Sequence, residues 1–197
     1  MKPIYRLCTA FLGSLLVVAM TGCAHPISLT TDTNKIPAAQ TRSDKGVAMY
    51  VSSENKSLEV TTPGGGGDKV AYFPYRDLET GIYRVLSDNF TRVSVLKSAA
   101  EKQDLAKNNL NFLIEPVITT NSSSESAFTW PPTLFTVELK CAVRDAAGAT
   151  VTELRGYGEG RATFDEFKSD HSLSARRAAE AALTDLSKAL EKSAALR

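Results

Sequence analysis

The apolar residues change their spacing several times along the chain, and each spacing predicts an element. Val47, Ala48, Met49 and Val51 form a compact run that reads as a first strand over 47–51. Residues 52–68 are polar and end near Gly64-Gly65-Gly66-Gly67, a loop signal. Val70-Ala71-Tyr72-Phe73 is a short strand or an approach segment, closed by Pro74. Leu78, Ile82, Val85, Leu86 and Phe90 then recur at helical spacing, predicting an amphipathic helix over 76–90 that packs one face on a sheet. Gly81 inside it weakens that helix by up to about 1 kcal/mol. A strand over 92–96 and a second, shorter helix over 99–107 follow, the latter ended by Asn108-Asn109.

Residues 111–119 read as a strand in which Pro116 marks an edge position or a bulge. Residues 121–126 read as a solvated loop. The clearest signal comes next. Phe135, Val137, Leu139, Cys141 and Val143 alternate with Thr136, Glu138, Lys140, Ala142 and Arg144, one apolar face and one wet face. Asp145-Ala146-Ala147-Gly148 is a turn, and 149–163 returns as the partner strand of a long hairpin. Ala175, Ala179, Ala182, Leu183, Leu186 and Leu190 line one face of a helix over 172–195, and its small residues allow close approach to a sheet. The order predicts an α+β fold, a two-layer domain over 46–197 whose mixed or antiparallel sheet is covered by amphipathic helices.

The amino terminus has a different composition. Lys2 and Arg6 precede an uncharged stretch over 7–20, too short to span a bilayer and suited to a signal peptide over 1–22. Residues 23–45 are rich in Thr, Ser, Asn and Pro with no apolar period, predicting a flexible tether. The chain counts 23 Lys and Arg against 22 Asp and Glu. Two of those cations and none of the acids leave with the signal, so the remainder carries a net −1, with no field for gathering nucleic acid. An apolar fraction of 43% supports a packed core.

Candidate chemistry is sparse. His25 and His171 have no His-x-x-x-His or Cys-x-x-Cys companions, so neither a zinc site nor any other metal site or cofactor is expected. No Gly-x-Ser-x-Gly elbow occurs, and His171 reads as a surface or capping residue. Cys141 lies in the alternating apolar series and reads as a small core hydrophobe. Gly64–Gly67, followed by Asp68-Lys69-Val70, supplies neither the spacing nor the hydroxyl of a phosphate loop and reads as a flexible loop. Gly156, Gly158 and Gly160 share one side of a strand, either to admit a helix or backbone closely or to permit a bulge. Asp165, Glu166 and Asp170 lack calcium-loop spacing. Phe128, Trp130, Pro131 and Pro132 form a rigid apolar segment suited to contact with a partner, unless Trp130 folds back to cap the sheet.

Met20-Thr21-Gly22-Cys23 resembles the lipobox of bacterial lipoproteins, with Met in place of the commoner Leu. The resemblance implies cleavage before Cys23, a thioether-linked diacylglycerol on its sulfur and often a further acyl chain such as palmitate. Two or three chains at about 0.8 kcal/mol per methylene anchor durably. Ala24, by resemblance to Gram-negative lipoproteins, favours the outer membrane. The element order is similar to that of envelope-assembly and transport-auxiliary lipoproteins, and 105–116 is similar to their helix-to-strand passage. These likenesses imply a non-enzymatic, periplasm-facing accessory subunit in cell-envelope assembly, secretion or transport, bound to an envelope protein partner. The alternative is an envelope hydrolase acting on glycan or peptidoglycan, which requires Glu159 to converge with Asp165 or Glu166. A small-molecule carrier with a groove between helix and sheet is a third class.

Overall fold

The computed structural model describes residues 24–65, 68–124 and 133–197. Residues 1–22, expected to be a signal peptide, Cys23 and the Phe128, Trp130, Pro131, Pro132 segment lie outside the described residues. Eight strands are present among them: β1 (Ala24–Pro26), β2 (Ser43–Tyr50), β3 (Val60–Gly65), β4 (Asp68–Tyr72), β5 (Phe90–Leu96), β6 (Phe112–Ser123), β7 (Leu134–Asp145) and β8 (Thr150–Arg161). The α-helices are α1 (Ser53–Ser57), α2 (Pro74–Asn89), α3 (Phe164–Ser169) and α4 (Leu173–Lys192). The larger sheet has the order β5-β2-β6-β7-β8 and the smaller β1-β4-β3. β5, β2 and β6 run parallel, while β6, β7 and β8 form an antiparallel meander. Helices α2 and α4 cover one face of the larger sheet, an α+β arrangement with a mixed sheet as expected.

The hairpin follows its pattern closely. Phe135, Val137, Leu139, Cys141 and Val143 are all buried on the helix side. At the turn, Asp145 Oδ1 accepts from the N–H groups of Ala147 and Ala149, each at 2.9 Å. Gly148 supplies the positive φ, +87°, that closes it.

Of the two readings of the glycine series, the close approach is the one observed. A Cβ at Gly156, Gly158 or Gly160 would sit 2.5 Å from Ala182 O, 2.1 Å from Ala178 O or 2.0 Å from Ser174 O. Each glycine therefore faces one turn of the α4 backbone. Ser174, Ala178 and Ala182, one per turn, keep that helix face as flat as the strand beneath it. Gly81 has the same role between helices: its missing Cβ leaves room for Leu183 Cδ1, 2.5 Å from where a Cβ would stand.

Several expectations are corrected. The segment read as a flexible tether is packed onto the domain. β1 adds as a parallel strand beside β4, with Ala24 opposite Lys69. Leu29 is 0% exposed within the main core and Ile36 is also buried. The Leu29 N–H donates to Asp77 Oδ2 at 2.9 Å, and the Ser28 N–H to Ser172 Oγ at 3.1 Å. Ile27, Leu29 and Ile36 make no sustained period, so the segment looked uncommitted, yet all three pack on the main core. The supposed loop 52–68 contains α1 and β3.

The expected helix over 99–107 is a pair of 3-10 turns, Ala99–Asp104 and Ala106–Asn108. Their leucines, Leu105 and Leu110, cover Ala48, Leu96 and Leu113 on the second face of the sheet. Asn109 ends this stretch in the left-handed region at φ 54°. Residues 121–123, expected in a loop, complete β6 opposite Thr136, Phe135 and Leu134. Pro116 sits just beyond the last rung that β6 shares with β2, at Ile114, where its missing N–H costs no ladder bond. Two residues on, the Ile118 N–H turns to the Tyr75 hydroxyl instead.

Candidate functional site

The glycine side of β8 is sealed by α4, which leaves the opposite side of the meander as the open surface. Cross-strand partners there form the rows Val117–Lys140–Arg155, Thr119–Glu138–Tyr157 and Asn121–Thr136–Glu159. Val117 is 55% exposed and Tyr157 40%, two apolar points on a charged field. The charges are largely engaged with one another. Arg155 Nε donates to Glu138 Oε1 at 2.5 Å, and its guanidinium lies 5.3 Å from the Tyr157 ring. That guanidinium, with Lys140 adding to it, holds the Glu138 carboxyl below its ordinary range. Arg161 pairs with Glu159 at 2.9 Å. Exposed pairs of this kind contribute little to stability. Their effect is to present a polar face without a dominant sign of charge.

At one end of this face the strands feed the 124–133 connection, whose stem is the Ser123–Leu134 rung. A buried polar chain fixes the small sheet against that stem. Tyr72 Oη lies 2.8 Å from Thr120 Oγ1 and 3.3 Å from Thr62 Oγ1, and Thr62 meets Ser122 at 2.6 Å. Ser122 Oγ also donates to the Pro63 carbonyl. Burial raises the Tyr72 hydroxyl pKa, and the bonds to Thr120 and Thr62 oppose the rise. Phe128, Trp130, Pro131 and Pro132 belong to that connection and lie outside the described residues, so their surroundings are not part of the geometry.

A trough of about 890 Å³ runs along α4 between the amino-terminal arm and the β8 edge. Lys35, Arg176, Arg177 and Lys188 line it together with Asp32, Glu180 and Asp185. Its main cations are committed: Arg176 pairs with Asp170, and Arg177 with Glu166 at 2.9 Å. Asp185 accepts the Tyr157 N–H at 3.0 Å, which occupies a donor on the free edge of β8. No helix among the described residues is long and apolar enough to cross a membrane.

The carboxylates named for a hydrolase have other occupations. Glu166 caps α3 reciprocally with Thr163 and is gripped by Arg177. Arg177, then the Thr163 N–H, push its pKa down to about 2, the opposite of what a general acid needs. Glu159 projects from the open sheet face toward Arg161, and Asp165 pairs with Lys168 in solvent. Asp170 is likewise held low, chiefly by Arg176.

Cys141 is buried, and desolvation pushes its thiol up to about 12. His171 rests against the Phe167 ring at 4.8 Å, between α3 and α4. His25 lies in β1 opposite Val70. No group of three His, Cys, Asp or Glu side chains gathers to hold a metal among the described residues. Sequence reasoning passed over Tyr157, Val117 and Asp185. The first two sit at the outward positions of correctly read strands. Only the helix-to-edge geometry singles out Asp185.

No family model matches the chain, and no curated protein matches it. Among solved structures, the chain is similar to protein XCC0632 of Xanthomonas campestris, from the DUF330 family, at 14% identity and a TM-score of 0.43, covering 87% of this chain and 92% of that one. It is also similar to a PelC dodecamer from Paraburkholderia phytofirmans at 11% identity and a TM-score of 0.37, covering 74% of this chain and 94% of the other. Neither likeness supports the transfer of a function, and the readings below rest on this chain's own residues.

Proposed function

We propose that the protein is a lipoprotein anchored through Cys23 to the outer membrane, facing the periplasm, and that it acts by binding as an accessory subunit in envelope assembly, secretion or transport. The observation that carries this reading is the uncovered face of β6, β7 and β8. Val117 and Tyr157 stand there among charges that already neutralise one another. Such a face loses little by being covered, because its ions keep their partners when a second protein replaces water. The 124–133 connection, with Phe128 and Trp130, extends from the same strands and belongs to the proposed contact. The lipobox supplies the anchor.

The test is crosslinking in cells from photoreactive residues placed at Val117, Tyr157 and Trp130, with Tyr83 on exposed α2 as control. A discrete envelope protein should be caught from the first three positions and not from Tyr83. Tyr157→Ala should weaken that capture while shifting Tm by less than about 2 °C, as for most exposed positions. Capture from Tyr83 alone, or from no position, would overturn the reading. Fatty-acid labelling of Cys23→Ser against the unaltered protein checks the anchor.

A further inference from the structure

We infer that the end of the domain carrying Ala24 is held beside the phospholipid headgroups, near enough for its exposed side chains to reach them, and this inference rests on the proposed acylation of Cys23. A flexible chain of the length of 24–45 would give the domain an r.m.s. reach of roughly 25 Å from its anchor. The arm is not flexible. Ala24 already stands in β1 opposite Lys69, and Leu29 is fixed in the core. One peptide link, about 3.8 Å between Cα atoms, separates the acylated residue from the folded sheet.

The strand registers identify what shares that end. Ala24 is level with Lys69, next to the Gly65–Asp68 closure of the β3–β4 hairpin. Pro63 and Ser122 join the hairpin to the carboxyl end of β6. The last rungs of the meander, Ser123–Leu134 and Leu134–Arg161, lie at the same level, and α3 continues beyond them. There Phe164 is 55% exposed, with the Lys168 ammonium 4.8 Å from its ring. An outward phenyl beside an ammonium suits the headgroup boundary, where the ring sinks and the cation stays wet. Three ion pairs of this end close on themselves, Arg161 with Glu159, Lys168 with Asp165 and Arg177 with Glu166, while Lys69 stands exposed opposite Ala24. The acyl chains rather than lipid charge therefore carry most of the docking, and salt changes it little. The opposite pole is the Asp145–Gly148 turn, a full β7 strand away.

The experiment uses the full lipidated chain in vesicles of phosphatidylethanolamine with phosphatidylglycerol. Single cysteines introduced by Lys69→Cys, Phe164→Cys and Ala147→Cys carry a fluorophore, Cys141 staying buried and unlabelled. Headgroup spin-labelled lipid should quench the probes at 69 and 164 at least threefold more than the probe at 147, equally at 0.1 and 0.5 M salt. Inserting a twenty-residue Gly-Ser linker between Cys23 and Ala24 should remove most of that difference. Equal quenching at all three sites in protein shown by mass spectrometry to carry lipid on Cys23 would overturn this inference alone. Absence of lipid on Cys23 would overturn the anchor reading and this one with it.

Discussion

Replacing Gly158 by Ala tests the idea that the sheet is joined to its longest helix through absent side chains. The new Cβ would lie 2.1 Å from Ala178 O and 2.3 Å from Ala182 N. Ordinary contact begins at 3.4 Å, so the deficit is about 1.3 Å. Both obstacles are main-chain atoms in the middle of α4, and no rotamer change relieves them. The helix must lift, and the buried Ala175, Ala179, Leu183 and Leu186 lift with it. A gap of about 1 Å forfeits up to about half of each contact. Overpacking a well-filled core costs about 1–3 kcal/mol, and rigid backbone on both sides places this site at about 3 kcal/mol. With a urea m-value of about 2 kcal/mol/M, the unfolding midpoint should fall by about 1.5 M. Gly148→Ala is the control. Its φ is +87° but nothing lies within 4 Å of a Cβ there, so only the backbone penalty of about 1 kcal/mol applies. A second arm identifies the obstacle: adding Ala178→Gly should not rescue Gly158→Ala, because a carbonyl rather than a methyl is in the way. A midpoint for Gly158→Ala no lower than that of Gly148→Ala, or rescue by Ala178→Gly, would refute the reasoning.

Three further outcomes are expected. Leu29→Ala should lower stability by about 3 kcal/mol in urea unfolding, whereas a change in a loose tether would leave the midpoint unmoved. Cys141 should resist a thiol-reactive dye in the folded protein (with Cys8 removed and Cys23→Ser) and react fully after denaturation, because burial keeps its thiol protonated. Glu166 titrates near 2 in the folded state and about 4.5 without its partners, so it binds fewer protons folded than unfolded. Its contribution is complete above about pH 4.5 and lost as pH falls toward 2. Thermal melts across that window should show a shallower loss for Glu166→Gln than for the unaltered protein, and identical slopes would dismiss the ion pair as a stabilising element.

The legible parts of the fold are those in which period and burial agree over many residues. The β7 alternation, the Asp145–Gly148 turn and the Ala-lined α4 face stand as read, and so does the α2 stripe except for Phe90, which opens β5. The illegible parts depend on single residues whose partners are distant in sequence. Leu29 meets Asp77 through its N–H, and nothing around residue 29 records the existence of residue 77. Pro63 and the glycines after it look like a loop, yet Thr62 and Ser122 tie β3 to β6 across sixty positions. At the open face, the strand pattern located Val117 and Tyr157 on the wet side without showing that none of the described helices covers them. Coverage is decided by where the leucines of 105–110 go, and they reach β5, β2 and only the first residues of β6.

The root of β2 and the segment after α4 close on each other, and this couples two distant stretches of chain. Ser43 Oγ donates to the Leu196 carbonyl at 2.7 Å, Arg197 reaches the Thr41 carbonyl, and Leu196 is buried in the same core as Leu29. The arm and the first long strand therefore complete their packing only with residues 196 and 197 in place. Contacts of such long span form slowly and late. A chain clasped this way spends its stability jointly, so that loosening either the arm or the segment after α4 loosens the other.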